Sequence, residues 1–259
     1  MRLTIRITRS TITFTAPNTV IEGQTDYEQY NMKAGIAVAA NLRLALAECR
    51  LPPAKRPSHL TMIAGGSQPV PTDGTQPQQV SLYDTVTVVT DTPIMLIPQE
   101  EYDERESVLM YHFANSGYAD DDVMAYPIQP LNVVATYAVG KDLRFVLGET
   151  FRGVRYMPLL APVLTELARQ SYAGFQEKVF CYFHDKRTDI CAFRKGRIRF
   201  CNSFDAHLPA DSVYYILNVW QTLGMKPKDI LCLAGNIAGL EAMAKELGKF
   251  VKNVKHISI

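Results

Sequence analysis

The 259-residue sequence lacks an excess of either charge, because 27 Lys and Arg against 26 Asp and Glu leave a net charge of +1. A protein that binds nucleic acid by neutralising phosphates usually carries a basic excess, so that class of protein is not expected. The sequence also lacks an apolar run near the ~20 residues of a membrane-spanning helix. Its first residues lack the continuous apolar segment of a signal peptide. These absences predict a cytoplasmic protein without a membrane span.

Cysteine is scarce, and its spacing does not favour a metal site. The five cysteines are Cys49, Cys181, Cys191, Cys201 and Cys232. The number is odd and no pair has CxxC spacing, which predicts free thiols in a reducing compartment. Three of the five recur every ten residues, but each falls in a predicted strand. We therefore expect buried thiols and no metal ligands.

Short catalytic motifs are also missing. The sequence contains neither the GxSxG elbow of hydrolases nor the HExxH helix of metalloproteases. The pair Gly65-Gly66 lies in segment 52–77, which holds six of the fifteen prolines, and no Gly-Lys-Ser/Thr follows it. A Pro-rich insertion is therefore predicted at 52–77, and not a phosphate-binding loop.

The sequence does contain regular strand and helix patterns, which are clearest in the last 82 residues. Alternating and helical spacings predict the order β-β-β-α-β-α-β, at residues 178–184, 188–194, 197–203, 209–223, 230–234, 240–247 and 254–259. Four lysines near the end of the sequence are expected to form a solvated face: Lys245, Lys249, Lys252 and Lys255.

The first 157 residues are predicted to hold the same plan. The predicted elements are a hairpin, a helix, two strands, a second helix and a further strand, at residues 3–14, 32–49, 85–90, 93–98, 99–113 and 132–139. The acidic run 120–122 is interpreted as a solvated turn. We therefore predict an α/β protein with two halves of one plan, residues 1–157 with the insertion at 52–77 and residues 158–259.

Three segments of the second half carry a resemblance to a known family: CNSF at 201–204, DSVYYIL at 211–217 and ILCLAGN at 230–236. They resemble a bacterial domain-of-unknown-function family that is described as having an actin-like ATPase fold. The two halves of that fold each resemble ribonuclease H. The strands and helices of residues 133–157, with the helix after Pro158, are similar to the pilus and secretion assembly proteins PilM and GspL.

The resemblance implies an ATP site between the two halves, with Asp and Gly in the hairpin turn of each half. The first turn here, at residues 8–10, has neither residue type. The second turn keeps Asp185, Thr188 and Asp189 but has no glycine. If the site were active, Asp185 or Asp189 would hold magnesium or position the nucleophile.

Gly235 lies where the adenosine-side glycine motif of that family would fall, and Asn236 stands at its usual second glycine. Charged side chains could contact phosphate in place of backbone amides. The candidate nucleotide-binding residues are therefore Lys186, Arg187, Thr188, Gly235 and Asn236. His184 and Asp185 are neighbours on a strand and point to opposite faces, so they are not expected to share a proton.

These features leave two functions open. The missing phosphate-turn residues favour a degenerate actin-like protein that is not an enzyme, needs no cofactor and acts as a scaffold for an unidentified protein partner. The alternative is a divergent Mg-ATP-dependent ATPase or small-molecule kinase. A two-metal nuclease is not expected, because strands 3–7 and 179–183 contain no carboxylate. Actin-like proteins often associate, and the edge strand 254–259 is a candidate for homo-oligomer contacts.

Overall fold

The computed structural model describes residues 2–18, 21–51, 83, 85–235 and 239–259. The predicted Pro-rich insertion at 52–77 lies outside these residues. Two compact units are formed, one by Met1–Val89 with Asp142–Tyr156 and the other by Thr90–Lys141 with Met157–Ile259. The predicted division into residues 1–157 and 158–259 is based on repeated element order. That division stays a prediction. The compact units instead place residues 90–141 with the second part of the chain.

The described residues form thirteen strands and six α-helices. In chain order they are β1 (Arg2–Ile7), β2 (Thr11–Pro17), β3 (Thr25–Asn31), α1 (Val38–Glu48), β4 (Thr85–Thr90), β5 (Ile94–Pro98), α2 (Glu104–Ala114), β6 (Asp122–Ile128), β7 (Val133–Val139), α3 (Lys141–Thr150), β8 (Val154–Pro158), α4 (Leu160–Ser171), β9 (Lys178–His184), β10 (Arg187–Arg194), β11 (Arg197–Asp205), α5 (Pro209–Thr222), β12 (Ile230–Gly235), α6 (Leu240–Leu247) and β13 (Val254–His256).

One five-stranded sheet has the order β3-β2-β1-β4-β8. The predicted hairpin forms its centre, with Ile5 opposite Phe14 and Ile7 opposite Ile12. These side chains are buried because alternate residues of a strand share one face. The strand β3 was not predicted, since its sequence TDYEQYN offers no apolar alternation.

A second five-stranded sheet has the order β11-β10-β9-β12-β13. Here β9 pairs antiparallel with β10 and parallel with β12, and β12 pairs parallel with β13. When the five strands of each sheet are numbered in chain order, both sheets have the spatial order third, second, first, fourth, fifth. The predicted α/β class and the repeated plan are confirmed, with β5, α2, β6 and β7 inserted between β4 and α3 of the first repeat.

The inserted strands form a third sheet, of order β5-β7-β6, in the second unit. Its central strand β7 is buried along its whole length. The acidic run 120–122, interpreted as a turn, ends in a strand, because Asp122 begins β6. At the other end of the chain, β13 stops at His256, short of the predicted strand 254–259.

The two faces of the second sheet pack against different partners. Phe180, Cys191 and Phe193 lie in one apolar cluster with the buried stripe of α4 and with residues of the inserted sheet. Val179 and Ile190 point to the other face and pack with α5 and α6. This alternation determines which face each side chain near the β9–β10 turn occupies.

Candidate functional site

The turn between β9 and β10 has only two residues, Asp185 and Lys186, because His184 already pairs with Arg187. Both turn residues have positive φ, 34° and 62°, as in a type I′ hairpin turn. Such turns favour Asn-Gly, since glycine adopts positive φ at no steric cost. The resemblance aligns this turn with a phosphate-binding turn. Here it is a two-residue hairpin turn in which neither residue is glycine.

Beside this turn, four charged side chains meet inside the second unit. We call His184, Asp189, Arg187 and Asp91 the buried ion cluster. Nε2 of His184 lies 2.5 Å from Oδ2 of Asp189, and its Nδ1 lies 3.4 Å from Oδ2 of Asp91. Arg187 donates from Nη1 to Oδ1 of Asp91 at 3.0 Å and to the Asp91 carbonyl at 3.2 Å.

The cluster is withdrawn from solvent. Side-chain exposure is 6% for His184, 1% for Asp189, 4% for Asp91 and 3% for Arg187. The ring of Tyr182 covers the imidazole at a centroid distance of 4.9 Å. Charges held this deeply must be paired, because desolvation of an isolated ion costs several kcal/mol.

The charges of the cluster balance. Burial by itself lowers the pKa of His184, but the hydrogen bond to Asp189 and the proximity of Asp91 outweigh it and raise the pKa of His184 to about 9. Burial likewise works against the charged form of Arg187, and the charge of Asp91, followed by that of Asp189, raises its pKa. Near neutral pH two cations therefore face two carboxylates.

The other predicted site residues lie elsewhere. Thr188 points to the opposite face of the sheet, where its Oγ1 lies 2.7 Å from Oγ of Ser212 in α5. Lys186 is exposed at the turn, and Asp185 is half-buried. Gly235 ends β12, and Asn236 lies outside the described residues.

A close backbone approach explains why position 235 is glycine. Gly235 has a φ of 109°, and a Cβ there would lie 2.2 Å from the carbonyl oxygen of Phe183 on β9. No real Cβ can occupy that position. The local packing alone therefore requires glycine, whether or not an adenosine lies nearby.

Of the predicted site residues that the structure describes, only Arg187 and Asp189 are brought into the buried ion cluster. Its other two members were missed. His184 was weighed only against its neighbour Asp185, although its partner Asp189 lies diagonally across the hairpin. A two-residue turn would have predicted that pairing. Asp91 had no signal, since it lies 96 residues from Arg187 in an ordinary Thr-Asp-Thr-Pro loop.

Within residues 2–18, 21–51, 83, 85–235 and 239–259, no group of three or more His, Cys, Asp or Glu side chains is arranged to hold a metal ion. All five cysteines are free thiols, and the Sγ atoms of Cys191 and Cys201 lie 3.5 Å apart across β10 and β11.

Among the described helices, none combines the length and apolar character needed to span a membrane.

Solved structures confirm the predicted fold. A Bacteroides thetaiotaomicron protein, described as having an actin-like ATPase fold and unknown function, matches with a TM-score of 0.80 and 21% identity, over 99% of this chain and 90% of that one. A PilM–PilN type IV pilus biogenesis complex contains a chain that matches with a TM-score of 0.52 and 10% identity, over 99% and 88%. At these identities the likeness establishes the actin-like ATPase fold.

Sequence comparison gives the family. No curated protein matches the chain. The family described as "Protein of unknown function (DUF3822)" matches residues 74–254, well over half of the sequence. The expected relationship to a domain-of-unknown-function family is thereby confirmed, and the chain belongs to DUF3822.

Proposed function

We propose that this actin-like chain does not hydrolyse ATP and serves as a scaffold or assembly partner for another protein. The observation that carries the proposal is the commitment of Arg187 and Asp189 to the buried ion cluster. These are the two charged residues of β10 nearest the turn that the resemblance aligns with a phosphate-binding turn. In this arrangement both are used to hold His184 and Asp91.

The backbone of both hairpin turns supports the same proposal. A phosphate cradle needs several adjacent N–H groups that approach the ligand without side chains in the way. The β9–β10 turn offers only Asp185 and Lys186 between paired strands. In the β1–β2 turn, the Thr8 amide donates to the Thr11 carbonyl at 2.9 Å, and the two Oγ1 atoms lie 3.0 Å apart.

Releasing Arg187 for a ligand would be costly. Its Nη1 donates to the Asp91 carboxylate, and withdrawing it would take the guanidinium charge away from a carboxylate that is only 4% exposed. Breaking one partner from a buried pair typically costs about 3–5 kcal/mol. A phosphate contact from Arg187 would have to offset that cost first.

A protein partner and a cytoplasmic compartment complete the proposal. The similar PilM chain was solved in complex with PilN, which supports a role through protein contacts. The free thiols, including the adjacent pair Cys191 and Cys201, suit a reducing compartment.

Thermal unfolding of the full chain tests the proposal directly. We expect the same Tm with and without millimolar Mg-ATP or a non-hydrolysable analogue, and no phosphate release. A ligand that binds the native state stabilises it in proportion to its saturation. A rise of several degrees that requires magnesium would contradict the proposal and favour the Mg-ATP alternative.

A paired variant keeps that alternative testable. If Mg-ATP does raise Tm and the chain is a Mg-ATP-dependent enzyme, Asp185→Ala should abolish the rise, because Asp185 is the candidate magnesium ligand of that enzyme. Asp120→Ala, at an exposed turn of the same unit, is the matched control. Equal behaviour of the two variants would remove Asp185 from any nucleotide role.

A further inference from the structure

We propose that one end of the second unit is a docking surface for an anionic membrane surface. We call it the basic end. It consists of six exposed basic side chains with two exposed phenylalanines, Phe175 and Phe250, among them. The basic residues are Arg194, Lys195, Arg197, Lys226, Lys228 and Lys252.

Strand pairing brings these residues to the same end of the sheet. Lys178, the first residue of β9, pairs with Ile230, the first residue of β12, and with Phe193 near the end of β10. The Leu231 amide donates to the carbonyl of Asn253 at 2.9 Å, which places the start of β13 beside them. The loops before β9, β12 and β13 and the β10–β11 turn therefore lie side by side.

Five of the six basic side chains of this end have no acidic partner among the described residues. Glu177 pairs with Arg199 and, at 3.6 Å, with Arg194. Asp229 is 3% exposed, and its carboxylate accepts hydrogen bonds from the backbone amides of Glu177 and Lys226. Over the described part of the chain, the other five basic residues of the basic end form no ion pair.

Two large aromatic side chains stand out from the same loops. Phe175, in the loop before β9, is 92% exposed, and Phe250, in the loop before β13, is 65% exposed. Tyr172 is also exposed and lies against the β10–β11 turn, where only the missing side chain of Gly196 leaves room for its ring. Exposed rings beside unpaired lysines leave apolar surface in water unless a partner covers it.

One kind of partner satisfies both features. Anionic headgroups attract lysines and arginines near the membrane surface, and the interfacial region accepts aromatic rings. A ring exposed as fully as Phe175 extends beyond its neighbours, as insertion into an interface requires. An acidic protein would instead need its own pocket for each ring. The solvated face predicted from the sequence shares only Lys252 with the basic end, because the other residues of that end come from loops that strand pairing brings together.

Co-sedimentation of the full chain with vesicles tests the inference. We expect binding to vesicles of phosphatidylcholine with phosphatidylglycerol, much weaker binding to phosphatidylcholine alone, and a decrease with salt. Since each basic residue near an anionic surface contributes roughly a fivefold change in affinity, the triple variant Lys226→Gln, Lys228→Gln, Lys252→Gln should bind roughly a hundredfold more weakly. Phe175→Ser should weaken binding without changing its salt dependence.

Control variants separate this surface from overall charge. Arg2→Gln, Arg105→Gln and Arg155→Gln together remove three exposed charges elsewhere and should leave vesicle binding unchanged. Equal loss in both triple variants, or equal binding to neutral and anionic vesicles, would overturn the inference. So would tighter binding to duplex DNA or polyglutamate than to vesicles, because the partner would then be another macromolecule. Unaltered thermal unfolding shows that the variants are folded.

Discussion

Nε2 of His184 and Oδ2 of Asp189 lie 2.5 Å apart across the β9–β10 hairpin, with both side chains buried. The two residues are diagonal neighbours, because Arg187 sits opposite His184 and Asp189 opposite Tyr182. This contact favours the charged form of the imidazole, and Nδ1 of the same ring faces Asp91 in the loop between β4 and β5.

We predict that the free energy of unfolding decreases in alkaline solution. The pKa of His184 is about 9 in the folded protein, against 6.5 for an unperturbed histidine, because Asp189 and Asp91 outweigh the effect of burial. A raised folded pKa gives stabilisation that is fully present below pH 6.5 and is lost as pH rises through 9. The loss is on the order of 3 kcal/mol and is measurable by urea unfolding across this range.

His184→Gln is the control for the pH profile. The variant has no titrating group at this position, so its stability should stay nearly flat between the two pH values. A variant profile that decreases as steeply as that of the native chain would assign the effect to another residue.

Asp91→Asn should lower the free energy of unfolding by about 3 kcal/mol or more, because it leaves two buried cations with one carboxylate. Asp205→Asn is the matched change at an exposed partner of the same arginine, 3.9 Å from Nε of Arg187 and 61% exposed. Its effect should stay within about 0.5 kcal/mol. Urea unfolding of both variants makes the comparison, and similar effects would refute the central role of Asp91.

Gly235→Ala and Gly148→Ala should change stability in opposite directions. The added methyl at position 235 would collide with the Phe183 carbonyl at a φ of 109°, which should cost about 3 kcal/mol. Gly148 is exposed in helix α3 with nothing within 4 Å of a Cβ, so alanine should add about 1 kcal/mol. Calorimetric melting of the two variants checks the signs, and a neutral Gly235→Ala would show that β9 and β12 can separate there.

Lys186→Gly should stabilise the chain by about 1 kcal/mol, because glycine adopts the φ of 62° found at this turn without strain. The same exchange at Lys245, exposed in helix α6, should destabilise the chain by about 1 kcal/mol. Denaturant unfolding distinguishes the two results. A loss of stability in both variants would mean that the lysine side chain at position 186 contributes more than its backbone conformation costs.

Much of the second unit could be predicted because its local signals are strong. The strand β9 has the predicted bounds, Lys178–His184, since its apolar run is bounded by turn residues. Helix α5 begins at Pro209 and ends within one residue of the prediction, since proline and Gly224 mark its ends. Elements with polar sequences on both faces, such as β3, gave no such signal.

The site was harder to predict, because its contacts depend on the fold more than on spacing. The place of Asp189 near the turn makes it, with Asp185, a candidate to hold magnesium or position a nucleophile if the site is active, whereas its carboxylate lies beside a buried imidazole. The contacts of Asp91 with His184 and Arg187 form only when the inserted strands pack against β9 and β10. A charged residue in a loop is usually solvated, so nothing in the sequence indicated that Asp91 would be buried.

The discontinuity of the second unit has a consequence for protein synthesis. Asp91 leaves the ribosome 96 residues before Arg187, and the segment 90–141 that contains it must wait for the β9–β10 hairpin before its buried charge is matched. The second unit therefore cannot close co-translationally until that hairpin has emerged. Ribosome-bound chains of increasing length should accordingly gain protease resistance in residues 90–141 only after residue 205 has cleared the exit tunnel.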